Sequence, residues 1–534
     1  MAGWSSEALS FDKLGLPAIV AAAVVFVLIS EYYRYAKGKL HLPGPMPYPI
    51  FGNLPQLGKD AALTMHKWSK KYGDVFKVTL GEREIMIINS AKATKELLSD
   101  QGGVYISRPM FHNYHSTLST SAGFTIGTSP WDESCKRKRK AAATALNKTY
   151  VQEYLPIIDR EALALVEDLY VNGKGGALEI DPAAYCSRYA LNTSLSVNYG
   201  CRLDSVGDDL LAEIIDIETG VSDIRSTTSS WSDYVPLLRK LPTIRKTSGG
   251  YTTQEIKERR DKYMGLLLDD LKEKIAKGTD APCITGNILK DPDAKLTPLE
   301  LSSICLSMVS AGLDTLGNTF IWSLGFMAKH PEIWEKAYTE LNKISNGNPP
   351  DSTEETCEYI VALYREAARY FSVLKLSLPR ATLGDSEYKG VHVPSGTTVF
   401  LNAWAVHHDE DRYGDVENFR PERHLEQKDQ EGALAHYSFG AGRRMCAGVH
   451  LANREMYVGF AKLIYFFKLE VGSEDYDINP ETACKNTYGL SSTPFPYKVR
   501  FVPRDPEAIE QWIQDEKSRN DISIASAIKS KVNA

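Results

Sequence analysis

The chain has 534 residues, 43% of them hydrophobic and 24% charged, with a formal net charge of −6 and a pI near 6.1. That length suits one very large domain or two to three ordinary ones, and the slight acidity supplies no bulk field for nucleic acid, so none is expected as a partner. Eight cysteines, at 135, 186, 201, 283, 305, 357, 446 and 484, include no CxxC pair, which argues against a zinc ribbon, a thioredoxin-like motif or a disulfide framework.

Residues 14–29, LGLPAIVAAAVVFVLI, carry no charge. Tyr32 and Tyr33 can extend this run to an interface, so 14–33 is expected to be a transmembrane anchor with 1–13 lumenal. Glu7, Asp12 and the missing basic cluster disfavour a cleaved signal peptide. Arg34, Lys37 and Lys39 follow, and the positive-inside rule puts the remaining chain in the cytosol. Sequons at Asn147 and Asn192 should then stay unglycosylated. Residues 34–53 read as a basic, proline-rich hinge: LPGPMPYPIFGN has four prolines in seven positions, a stiff spacer between anchor and globule.

Residues 75–89 predict two strands joined by a Gly-containing turn. Most of the rest reads as helix, with loops at 172–176, 247–252 and 280–287, none of them an interdomain linker. The fold class expected is a single large domain, mainly α with a smaller β-rich part near its N-terminal end. The run KRKRK, 136–140, is either a solvated helix face or a docking site for an acidic partner.

Thr297, Pro298 and Glu300 form a capping box that opens a helix of about thirty residues, ended by proline at 331. Inside it, AGLDT sets Gly312, Asp314 and Thr315 in an apolar stretch, either as a satisfied polar pair or as a local groove opened by the hydroxyl. EAAR puts Glu366 and Arg369 on one helix face, and FRPERHL adds Arg423; spacing alone leaves an ordinary surface pair in contention. HHDED, 407–411, is discounted as a metal cluster. HYSFGAGRRMCAGVH, 436–450, places Cys446 in a glycine-rich turn beside two arginines and before an apolar helix, where its thiolate could serve as nucleophile or as axial haem ligand.

Phe439, Gly442, Arg444, Cys446 and Gly448 fit FxxGxRxCxG. With AGLDT, EAAR, PER and the proline segment in the same order, residues 40–503 resemble the cytochrome P450 family. The resemblance implies a P450 fold, with 54–503 as a haem-thiolate monooxygenase domain behind the anchor and 504–534 as a C-terminal tail. It implies haem b, with Cys446 as the proximal iron ligand, Phe439 packed beside the haem, and Arg444, Arg380 and Trp131 toward its propionates. The family's arginine four residues after that tryptophan is Cys135 here, leaving Lys136 or Arg137 as substitutes. Glu366, Arg369 and Arg423 would form a buried triad, with His424 where an aromatic residue is usual.

In this setting Thr315 and Asp314 become the acid–alcohol pair of a true monooxygenase, with Ala311 and Gly312 leaving room for oxygen and substrate. Electrons would come from NADPH through cytochrome P450 reductase, with cytochrome b5 as a second donor, at the endoplasmic reticulum membrane in a single-pass topology. Segments 123–147 and 436–455 resemble fungal members that hydroxylate phenylacetate and 3-hydroxyphenylacetate. Arg108, His112, His115 and Lys375 are then carboxylate-anchor candidates, and Val373 and Leu374 should face the haem edge beside Ser372, which replaces a common proline. The alternatives are tailoring of a secondary metabolite and, in another class, a haem-binding sensor or carrier without turnover.

Overall fold

The computed structural model describes residues 11–121, 123–226, 228, 230–240, 247–291, 295–350, 353–426 and 437–515. The expected lumenal stretch is therefore outside the described residues over 1–10, as is the tail over 516–534.

A helix spans Phe11–Ala36. Its apolar part, Ala18–Tyr33, is shorter than a full span. Ile19, Val20, Phe26 and Ile29 on it are exposed. The proline stretch after it is not a free spacer. Lys77 N donates to Pro43 O at 2.8 Å, Thr79 N to Asn53 Oδ1 at 2.8 Å, and Gly44 lies so close that a Cβ would stand 2.0 Å from Lys77 O. The prolines lack the N–H groups a ladder needs, so the segment lies along the first strand without extending the sheet.

That strand, β1 (Val75–Leu80), pairs antiparallel with β2 (Arg83–Ile88) across a turn in which Gly81 has φ +52°, as expected from the sequence. The β-rich part is not confined to the N-terminal end, however. The strands β3 (Arg380–Ala381), β4 (Ser386–Tyr388), β5 (Val391–Val393) and β6 (Thr398–Leu401) follow much later, and β2 pairs parallel with β6 to give the order β1-β2-β6-β3. This distant partner covers the edge of β2, whose two faces are buried in separate core clusters, Met86 and Ile88 in one and Ile85 and Ile87 in the other. The strands β7 (Phe467–Val471) and β8 (Val499–Pro503) form a separate antiparallel pair.

Helices carry the rest. The Pro298–Lys329 helix has the expected capping box, with Thr297 Oγ1 accepting from Glu300 N at 3.2 Å and Glu300 Oε2 accepting from Thr297 N at 2.9 Å. Its 32 residues run about 48 Å through the body, mostly buried, which makes this long apolar helix a core element. Pro331 ends it and also opens the next helix, Pro331–Ser345. The 280–287 loop is shorter than the sequence suggests, because Cys283 Sγ caps a helix over Ile284–Lys290.

The largest core cluster joins the central helix to Ala183–Tyr199, Glu358–Phe371 and Val449–Phe466. Phe320 stacks on Phe460 with centroids 4.4 Å apart, and a Cβ on Gly459 would meet Phe320 at 2.6 Å. The helix that follows the cysteine loop is thereby fixed against the central helix. After β8 the chain stays on the body: residues 506–515 are helical, Ile509 and Ile513 join the main core, and Trp512 packs on Phe466 at 4.5 Å.

Candidate functional site

The cysteine loop is built by close backbone approach. Gly442 has φ +56°, and a Cβ there would stand 1.7 Å from Leu98 O, so only glycine lets the loop press onto residues 95–100. Gly440 also takes a left-handed φ of +73°, whereas Gly448 has ordinary backbone angles and room for a Cβ. Cys446 N donates to Phe439 O at 2.9 Å, which closes the loop, and Gly448 N donates to Cys446 Sγ at 3.3 Å. Cys446 lies just ahead of the Val449–Phe466 helix, whose N-cap is Gly448. Its side chain keeps accessible surface although protein surrounds it. Burial pushes its thiol up, while the Gly448 N–H and the Arg139 charge pull the other way.

Three arginines sit buried beside this loop. Arg380 donates to Ala441 O at 2.5 Å, Arg108 to Leu378 O and Pro379 O at 2.5 and 2.6 Å, and Arg444 to the carbonyls of Ile106 and Ile126, both at 3.0 Å. No carboxylate among the described residues pairs with any of them. Burial and the neighbouring charges bring Arg380 down to about 9, and Arg108 and Arg444 are lowered as well, each by burial first. Trp131 lies 6.0 Å from the Arg444 guanidinium.

An uncompensated cationic cluster, an interior thiol held by an N–H, and a glycine-supported loop fit haem. The sulfur suits its iron, and the cations suit its anionic edge.

The lysine-arginine run divides between surface and interior. Lys136 is exposed and paired with Glu133, and Arg137 pairs with Glu300 at 2.6 Å, so neither substitutes for the arginine that Cys135 replaces. Lys138 points inward instead, donating to Phe124 O, Ser129 Oγ and Ser303 Oγ. Arg139 donates to Arg443 O and Met445 O, both at 3.2 Å, on the cysteine loop.

On the central helix, Ala311 is exposed, with Gly312, Asp314 and Thr315 half-buried beside it, and Thr315 donates its hydroxyl to Ala311 O at 2.7 Å. The helix runs unbroken through this turn. Gly312 has a packing reason, because a Cβ there would stand 2.0 Å from Ser194 Oγ; the room expected from it is taken by the Ala183–Tyr199 helix. Burial raises Asp314 to about 8, with Glu218 and Asp223 adding to the rise and Arg225 opposing it. Glu218 is fully buried and accepts from Ser310 Oγ and from Tyr263 OH.

Glu366, Arg369 and Arg423 come together with no exposed surface, which rules out the surface-pair reading. Arg369 donates to both Glu366 oxygens at 2.8 and 2.9 Å, Arg423 at 3.0 Å, and His424 Nε2 at 2.9 Å as a fourth member. His407 of HHDED is structural: it accepts from Tyr437 N at 2.8 Å and contacts Ser372 Oγ at 2.6 Å. Ser372 takes φ +42° and also donates to Arg369 O, so this position ties the arginine to the start of the cysteine loop.

Two clefts open near the arginines. The first is lined by Arg108, Phe111, Tyr114, His115, Thr128 and Arg225 among others; the second includes Val373 and Lys375, and Ser226 lines both. His112 and Leu374 line neither. Arg225 ends the Asp209–Arg225 helix, where an arginine reads from sequence as a partner for the helix dipole, so no local signal marks it.

Residues 42–501 match the family model described as Cytochrome P450. The chain is 44% identical over 514 residues to the phenylacetate 2-hydroxylase of Emericella nidulans, covering 94% of this chain and 98% of that protein. It is 40% identical to the 3-hydroxyphenylacetate 6-hydroxylase of the same organism, over 91% of this chain and 93% of that one. A cytochrome P450 monooxygenase of Mycosarcoma maydis, CYP3, is 43% identical, covering 92% of each chain.

Proposed function

This chain belongs to the cytochrome P450 family and is a monooxygenase, and on that footing we propose that it hydroxylates the ring of a small arylacetic acid. Near-full-length similarity to two enzymes named for phenylacetate and 3-hydroxyphenylacetate carries the reading. The haem, when bound, supplies activation of dioxygen at its iron. Cys446 is the residue that holds the iron, with the Gly448 N–H on its sulfur limiting the charge there. Arg108, Arg380 and Arg444 hold the anionic edge of the haem through charge that no carboxylate of the described protein meets.

On the central helix, Ala311 is small enough to leave its carbonyl and the Thr315 hydroxyl reachable. Asp314, the neighbour of Thr315 in sequence, is raised by burial to about 8 and keeps a proton on its carboxyl at neutral pH. Residues 14–33 anchor the protein in the endoplasmic reticulum membrane, supported by the exposed apolar side chains of the first helix. A reductase carrying NADPH-derived electrons docks on the side of Arg139, where Lys136 and Lys140 are exposed.

The test is turnover. Full-length haem-loaded protein, a P450 reductase and NADPH should convert phenylacetate or 3-hydroxyphenylacetate to a ring-hydroxylated acid. Cys446→Ala should abolish both product and the thiolate–CO band. NADPH-dependent oxidation of other substrates, with no product from either acid, would overturn the substrate reading in favour of secondary-metabolite tailoring.

A further inference from the structure

The cationic side chains that the sequence marks as carboxylate anchors are committed within the protein. Arg108 binds two main-chain carbonyls. His115 accepts from Phe111 N at 2.9 Å, and its other ring nitrogen lies 3.2 Å from Thr128 O. Lys375 is ion-paired with Asp60 at 2.7 Å and also donates to Pro480 O. His112 does not line the cleft.

Arg225 differs from all of these. Like Arg108 it lines the cleft and has a buried Nε without a partner, but unlike Arg108 it makes no hydrogen bond or ion pair to a described residue. Its guanidinium lies 5.5 Å from the centre of the Tyr114 ring, which fixes its position and leaves its donors free. Of the nearby acids, Asp314 is raised by burial to about 8 and keeps its proton at neutral pH, and the other two are engaged elsewhere. Glu218 is capped by Tyr263 and Ser310, and Asp223 accepts from Ser248 N and Asn486. The field of Arg225 still reaches the surroundings: it lowers the Tyr114 phenol against the opposing effect of burial.

The cleft around this cation has Phe111, Ile224 and Leu378 among its walls, with Arg108 and Asp233 as its other charged side chains, the first committed to the Leu378 and Pro379 carbonyls and the second accepting from Asn113 N. Leu378 and Pro379 on its lining immediately precede Arg380, which donates to Ala441 O on the cysteine loop. A guanidinium fork takes a carboxylate by two parallel hydrogen bonds, and the apolar walls suit a ring one methylene away.

We propose that Arg225 is the specificity-determining residue that receives the substrate carboxylate and selects arylacetates over neutral arenes. This rests on the arylacetate reading above. The experiment titrates the full-length ferric holoprotein with phenylacetate and with its neutral counterpart phenylacetamide, following the spin-state change. Arg225→Gln should weaken phenylacetate about tenfold or more, the scale expected for a lost charge-assisted hydrogen bond, while phenylacetamide changes by no more than about threefold. Arg225→Lys should restore part of the preference for the acid, and an intact thiolate–CO band checks that each variant is folded.

An unchanged acid-to-amide ratio in Arg225→Gln, or equal loss for both ligands, would overturn the assignment and leave the arylacetate reading standing. A wild-type protein that turns over other substrates but responds to no arylacetate would overturn both.

Discussion

Thr315 returns its hydroxyl to the carbonyl of Ala311, as Thr319 does to Thr315 O and Ser323 to Thr319 O. What sets Thr315 apart in this ladder is its place beside exposed Ala311 and the raised carboxyl of Asp314. Thr315→Ala should lower product formed per NADPH consumed by about a hundredfold or more, the usual weight of a positioned proton donor, with the thiolate–CO band intact. Asp314 adds a pH signature. Its folded pKa of about 8 stands far above its ordinary 3.8, so the folded state holds the proton and loses stability as pH rises between those values. Coupling should hold through neutral pH and fall through about 8, and Asp314→Asn should be poorly coupled throughout with a flatter stability profile, as followed by product yield and thermal unfolding. Cys446 could be read from its loop because the supporting groups are its sequence neighbours. Arg225 could not, since what distinguishes it is the absence of partners from distant segments.

At the scale of elements, the Glu358–Phe371 helix is joined to residues 407–424 by one carboxylate. Burial alone would raise Glu366, but hydrogen bonds from His424 and Arg369 and the charges of Arg369 and Arg423 hold it near 2. Its stabilising effect is therefore complete above the ordinary value of 4.5 and is lost as pH falls toward 2. Glu366→Gln leaves two buried guanidinium groups uncompensated and should cost about 3–5 kcal/mol, seen as a lowered unfolding midpoint and loss of the acid limb of the stability curve. The i, i+3 spacing announced the pair, but its burial depends on a loop some fifty residues away, which no local pattern carries. The same limit applies to the proline stretch: its stiffness follows from composition, whereas its seat against β1 follows from the missing Cβ of Gly44 and the amide acceptor of Asn53.

At the scale of the whole molecule, the mainly helical body and the long central helix follow from periodicity and capping, because those signals are local. The assembly of the sheet does not, since β2 and β6 are individually short and their pairing is set only when the body closes. The first helix carries exposed apolar side chains, so removing residues 1–36 should release the protein from microsomal membranes into the soluble fraction while the thiolate–CO band survives, as fractionation and reduced-CO spectra can measure. The pairing of Ile85 with Thr398 also bears on how the chain is made. At a synthesis rate of about 5–20 residues per second, the β1–β2 hairpin emerges roughly 15–60 seconds before its parallel neighbour exists. During that interval its apolar edge is open to misassembly, so newly made chains should depend on chaperone cover early and acquire protease resistance only after residue 401 has cleared the ribosome.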